Sequence, residues 1–274
     1  MDHELQRQMA AFEAARIARP IQLVPPSLKR ILVARDGSNQ DPAAVALASA
    51  IATRHSSEVG EWVGKVSELA HEAILAACEA ADLLVIPSPF GADHAAVGSY
   101  TLSTTLDILL ARGHTPVLCI REPELADAKA LDAPLVVLDL HLERKSEATA
   151  MALALTAPGG EVALLGVVDP TQPQGREEIL GQWLDPAQIE EADLTALHGA
   201  RTAALTAALQ KESSARGVLA KVMVRTGAVI DVALEQARQR EGILVVGLDR
   251  RPGSPAAHKA RELILRSKLP VLLV

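Results

Sequence analysis

The chain has 274 residues, of which 49% are hydrophobic and 22% charged, with a formal net charge of −7. That balance belongs to a globular rather than a disordered chain, and the length favours two α/β domains over a single core. The acidic excess repels a phosphate backbone and an aromatic content of 2% offers no stacking platform, so nucleic acid is not an expected partner.

In chain order, residues 1–18, "MDHELQRQMAAFEAARIA", are charged throughout and lack an apolar signal core. Leu5, Met9, Phe12 and Ala15 fall on one helical face, which predicts a docking helix within an N-terminal extension over 1–27. "IQLV" (21–24) is a candidate short strand, although Pro25-Pro26 follows it. No run reaches the roughly 20 apolar residues of a membrane span, so a soluble, cytoplasmic protein is expected.

"ILVARDGSNQDPAAVALASAIA" (31–52) then reads as an apolar strand ending at Asp36, a polar loop and an Ala-rich helix, with Asp41-Pro42 as N-cap and first turn. "EVGEWVG" (58–64) follows almost at once. "AILAACEAADLLVIP" (73–87) is a helix and a buried strand, and "ILLARGHTPVLCI" (108–120) is a helix, a Pro and a further strand. "REPELADAKALD" (121–132) is polar and reads as a linker, placed at 123–132.

The pattern then repeats. "PLVVLDLHLERKSEATAMALAL" (134–155) matches 31–52, with Asp139 for Asp36 and Ser146-Glu147 as the helix start. "DVALEQARQREGILVVG" (231–247) matches 73–87, and "LILRSKLPVLLV" (263–274) matches 108–120. The second copy alone contains the strand "EVALLGVV" (161–168), a long helix after Asp185-Pro186 and the strand "VLAKVMV" (218–224). The span from Asp139 to Gly247 is about twice that from Asp36 to Pro87, so the first copy has lost about one β-α unit. Apolar strands alternating with helices imply parallel sheets covered on both faces.

The ordered set "ILVARDGS", "DLLVIP", "VGSY" and "TPVLCI", repeated in looser form over 131–274, resembles the universal stress protein family. The resemblance implies two tandem domains, an abridged one at 28–122 and a complete one at 133–274. The complete one should hold a parallel sheet of order 3-2-1-4-5 with helices on both faces. It also implies that "PVLCI" and "PVLLV" pair as final strands, giving an internal pseudo-dimer, and that whole chains can form a homodimer.

Nucleotide-binding members of that family carry Gly-x-x-Gly, nine residues, then Gly-Ser or Gly-Thr. Small residues there let backbone N–H groups approach phosphate, and the last pair opens a helix whose N-terminus favours anions. In the first copy, "PSPFGADHAAVGSYT" (87–101), Pro87 and Phe90 replace the two glycines and only Gly98-Ser99 remain. Asp36, Gly37 and Ser38 persist, but the wall that strand 2 should supply is expected to be missing. In the second copy, "GLDRRPGSPAAH" (247–258), Gly247 remains, Arg250 replaces the second glycine, and Gly253-Ser254 follow too soon. Ser254-Pro255 is also a good helix start without any ligand, although Arg250 and Arg251 could meet phosphate directly.

No GxxxxGK[ST], GxSxG, HExxH or CxxC occurs, so neither a metal site nor a nucleophile is identified and an enzyme is not expected. Cys78 and Cys119 sit in apolar contexts as buried core residues, and no disulfide is implied. Two readings remain. One is a stress-response regulatory or interaction module with a degenerate nucleotide site and an unknown protein partner. The other is a sensor holding ATP or AMP, with magnesium, in at least one domain.

Overall fold

The computed structural model describes residues 21–64, 69–91, 102–138, 144–169, 191–248 and 255–274. The N-terminal stripe, Gly98, Ser99, Asp139, Arg250, Arg251, Gly253 and Ser254 lie outside the described residues.

Nine strands form one sheet: β1 (Arg30–Arg35), β2 (Glu58–Val63), β3 (Leu83–Pro87), β4 (Val117–Ile120), β5 (Leu135–Leu138), β6 (Glu161–Val168), β7 (Leu219–Thr226), β8 (Leu244–Val246) and β9 (Val271–Leu273). Seven helices are described: α1 (Asp41–His55), α2 (Ala70–Cys78), α3 (Thr104–Arg112), α4 (Lys145–Leu155), α5 (Glu191–Arg216), α6 (Val229–Arg240) and α7 (Pro255–Arg266). The strand order is β2-β1-β3-β4-β9-β8-β5-β6-β7.

The second half runs β7-β6-β5-β8-β9, all parallel, which is the expected 3-2-1-4-5 order. The first half runs β2-β1-β3-β4, also parallel. The halves join where β4 meets β9 antiparallel, pairing Val117 with Leu273, Leu118 with Leu272 and Cys119 with Val271. "PVLCI" and "PVLLV" therefore pair as expected. Because both sheet faces are covered, these central strands are buried at every position.

One core lies on each face. Leu106, Leu109, Val229, Ala233, Leu263 and Ile264 bring α3, α6 and α7 onto one face, together with Ile74 of α2. Leu47, Ile51, Leu153, Leu205 and Leu209 bring α1, α4 and α5 onto the other. With few aromatics, Ala44, Ala48 and Ala148 let the helices approach the strands closely and are fully buried.

Three expectations are corrected. "EVGEWVG" does not leave the first half without strand 2. It forms β2 beside β1, from Arg30 opposite Glu58 to Arg35 opposite Val63. Among the described residues, the first half has no strand outside β2. "IQLV" forms no strand; instead Leu23 is buried and Ile21 packs on the α1-side core, as the following prolines favour. The helix starts also shift. Gln40, not Asp41, is the N-cap of α1 and Asp41 is its first residue, while α4 begins at Lys145 after Arg144 in a left-handed conformation.

The 123–132 segment is docked rather than loose. Its two short 3-10 turns bury Ala130 and Leu131, and Ala130 O accepts from Ile243 N at 3.1 Å. Arg54 of α1 reaches it through Asp132 Oδ1 at 2.7 Å and Oδ2 at 3.0 Å, and also binds Ala128 O and Leu155 O.

Candidate functional site

In an open parallel sheet, ligands bind at the carboxyl edge where neighbouring connections leave in opposite directions. In the first half that point lies between β1 and β3, because β2 and β3 flank β1. Asp36 follows the last residue of β1 and Gly37 turns at φ +84°, a conformation that glycine adopts freely.

The Asp36 carboxylate faces its own protein. Oδ1 accepts from Ser38 N at 2.9 Å, forming a local turn, and Oδ2 accepts from Gly91 N across from the β3 loop. Asp41 performs a related task from the start of α1. Its Oδ1 accepts from Asp36 N at 3.2 Å and its Oδ2 from Gly37 N at 3.0 Å. Arg35 stands 3.5 Å from Asp41 and also reaches Glu61 of β2 at 2.8 Å. Burial pushes the Asp41 carboxyl up from its ordinary range, with the two loop N–H groups pulling the other way.

The β3 side is equally closed. Ser88 N donates to Ile120 O, the Ser88–Pro89 bond is cis, and Phe90 is 2% exposed. The Phe90 ring packs against Trp62 of β2 with centroids 5.9 Å apart. Trp62 is thus a packing residue, and β2 supplies the wall that the sequence did not lead one to expect. Phe90 fills the position where the family pattern has its second glycine.

Gln40 and Ser88 were not picked out from the sequence, because nothing in their neighbourhood follows a motif. Both are fully buried, and Gln40 Nε2 donates to Ser88 O at 3.4 Å. Ser38 Oγ, Gln40 Oε1 and Ser88 Oγ are buried without a hydrogen-bond partner. They give the carboxyl edge a small polar interior under the Asp36 loop.

In the first half, then, the Asp36 carboxylate is engaged by Ser38 and Gly91, and the Phe90 ring is buried beside the same loop. In the second half Gly247 follows β8 directly and is buried, next to the end of β5, while Leu248 N donates to Val274 O at 2.8 Å. Among the described residues no group of His, Cys, Asp and Glu is arranged to hold a metal ion. No described helix is long and apolar enough to cross a membrane. Cys78 and Cys119 are buried and free, and burial raises their thiols to about 11 and about 12, so neither is an activated nucleophile.

No family model and no curated protein matches the sequence. Among solved structures, a universal stress protein from Archaeoglobus fulgidus DSM 4304 is similar over 92% of this chain and 97% of its own. The TM-score is 0.55 and the identity 14%. The universal stress protein UspA from Lactobacillus plantarum matches over 52% of this chain and 96% of its own, at 15% identity and a TM-score of 0.35. The first of these likenesses shows that the chain has the universal stress protein fold.

Proposed function

We propose that the protein is a universal-stress-type regulatory module that acts by holding a protein partner, not by turning over a substrate, and that its first-half nucleotide site is degenerate. The observation that carries this reading is the Asp36 carboxylate, closed onto Ser38 N and Gly91 N beside the buried Phe90. Each Asp36 oxygen already accepts one backbone N–H, so a ligand at this carboxylate would compete with the bracing of two loops. The absence of a nucleophile paired with a base among the sequence motifs supports the same view.

A second reading, an ATP or AMP sensor with magnesium, is favoured by a different observation. Ser38 Oγ, Gln40 Oε1 and Ser88 Oγ are buried polar atoms with hydrogen-bonding capacity to spare, and the second half retains the complete 3-2-1-4-5 sheet. Denaturing the purified chain and analysing the supernatant by mass spectrometry separates the two. The interaction-module reading predicts no adenine nucleotide and no rise in melting temperature with millimolar ATP and magnesium. A stoichiometric release of ATP or AMP overturns it, since a ligand that binds only the folded state must stabilise it.

A further inference from the structure

The sheet ends at β2 on one side and β7 on the other, and among the described residues no strand lies outside either. In β2, Glu58 N donates inward to Lys29 O, so the alternate residues Val59, Glu61 and Val63 direct their backbone groups outward. In β7, Leu219 N donates inward to Gly160 O, so Ala220, Val222 and Val224 direct theirs outward. Both edges are open to solvent, with Val63 70% exposed and Leu219 62%. Such an edge is a template for another strand.

The two edges are opposite in charge. β2 carries Glu58 and Glu61 and no cation, whereas β7 carries Lys221 and Arg225 and no carboxylate. Pairing β2 with β2 gathers carboxylates and pairing β7 with β7 gathers cations, and like charges on neighbouring strands repel. Only the mixed pair joins opposite signs. We propose that β2 of one copy pairs with β7 of a second copy, which continues the sheet from chain to chain.

Direction and register both allow it. Because β4 meets β9 antiparallel, strands of the first half run opposite to those of the second. A second copy set beside the first in the same orientation therefore meets it antiparallel. The faces coincide as well. Val59 and Glu61 lie beside Ile31 and Val33, and Ala220 and Val222 beside Val162 and Leu164, all four neighbours belonging to one core. With Glu58 set opposite Arg225, the outward residues fall opposite one another: Val59 and Val224, Glu61 and Val222, Val63 and Ala220. Each such pair can exchange two backbone hydrogen bonds. Trp62 then stands opposite Lys221, an attractive pairing of a ring with a cation. Glu61, opposite an apolar residue, keeps its own partner Arg35 at 2.8 Å.

A contact of six residues is small, so the association is weak and shows at high protein concentration. Because the two surfaces differ, a pair of copies still has one open edge at each end, and growth does not stop at two.

Sedimentation velocity on the full-length chain at low ionic strength tests this. The mean mass should rise with concentration beyond two copies and fall back as salt is added. Glu58→Arg and Arg225→Glu should each weaken the association several-fold, since either variant sets like charges opposite each other. An equimolar mixture of the two should recover it, because every contact then joins opposite charges, and Glu58→Arg with Arg225→Glu in one chain should do the same. Circular dichroism confirms that each variant is folded. Assembly that stops at two copies would instead assign one edge to itself and would overturn the proposal. So would a mixture no more associated than either variant alone. A chain that stays monomeric at every concentration would leave the edges to a different protein and would overturn it too.

Discussion

Replacing Asp36 with Ala separates a bracing residue from a ligand-binding one. The substitution leaves Ser38 N and Gly91 N without their acceptor. Hydrogen bonds to a charged group contribute about 1.5–3 kcal/mol each when buried. Asp36 is only half-buried, so water recovers part of that, and the expected loss for the pair is about 2 kcal/mol. With a urea dependence of about 3 kcal/mol per molar for a chain of this size, the unfolding midpoint should fall by about 0.7 M. Asp36→Asn keeps one acceptor oxygen and should lose less. Urea titration followed by circular dichroism reads both variants without any nucleotide present. A midpoint within about 0.2 M of the parent chain would show that the carboxylate braces nothing and is free for a ligand.

Arg54→Ala should cost about 1–2 kcal/mol, because Asp132, which also holds Ala157 N at 3.0 Å, loses its bidentate partner but stays partly open to water. Arg54→Lys should recover little, since an ammonium cannot replace the fork, and chemical denaturation of both variants checks this. At Gly242 an added Cβ would lie 1.8 Å from Ala133 O, so Gly242→Ala should drive most of the chain into the insoluble fraction on expression; a soluble yield equal to the parent's would count against the close approach of the turn after α6 to Ala133. Cys78 and Cys119, with thiols raised to about 11 and about 12, should stay unmodified by a disulfide reagent at pH 8 until denaturant is added. Rapid native labelling of two thiols per chain would contradict their burial.

Most of the fold was legible because buried parallel strands are read from continuous apolar runs and helices from alanine-rich periodicity. "EVALLGVV" is β6 without adjustment, and the pairing of the two final strands, implied by the family resemblance, is present between β4 and β9. The position of β2 was not legible. Only one half of its residues is apolar, and whether such a strand sits second or third depends on which neighbour it pairs with, which a local pattern does not encode. The capping residue of α1 was missed for a physical reason too. Asp41 has N-cap chemistry, but its carboxylate turns back to the Asp36 and Gly37 amides, not forward to the helix. Of the candidate residues, Asp36, Gly37 and Ser38 are brought together at the carboxyl edge of β1, and Gly247 stands at the corresponding edge of the second half. Gln40 and Ser88 come from separate segments and meet only in three dimensions. No spacing in the chain announces them.

Calorimetric titration of ATP with magnesium into the parent chain and Asp36→Ala shows whether the first-half carboxylate serves a ligand. The two traces should superimpose, because the first-half carboxylate holds Ser38 and Gly91 rather than a nucleotide. One saturable site per chain in the parent that vanishes in a folded Asp36→Ala would contradict it.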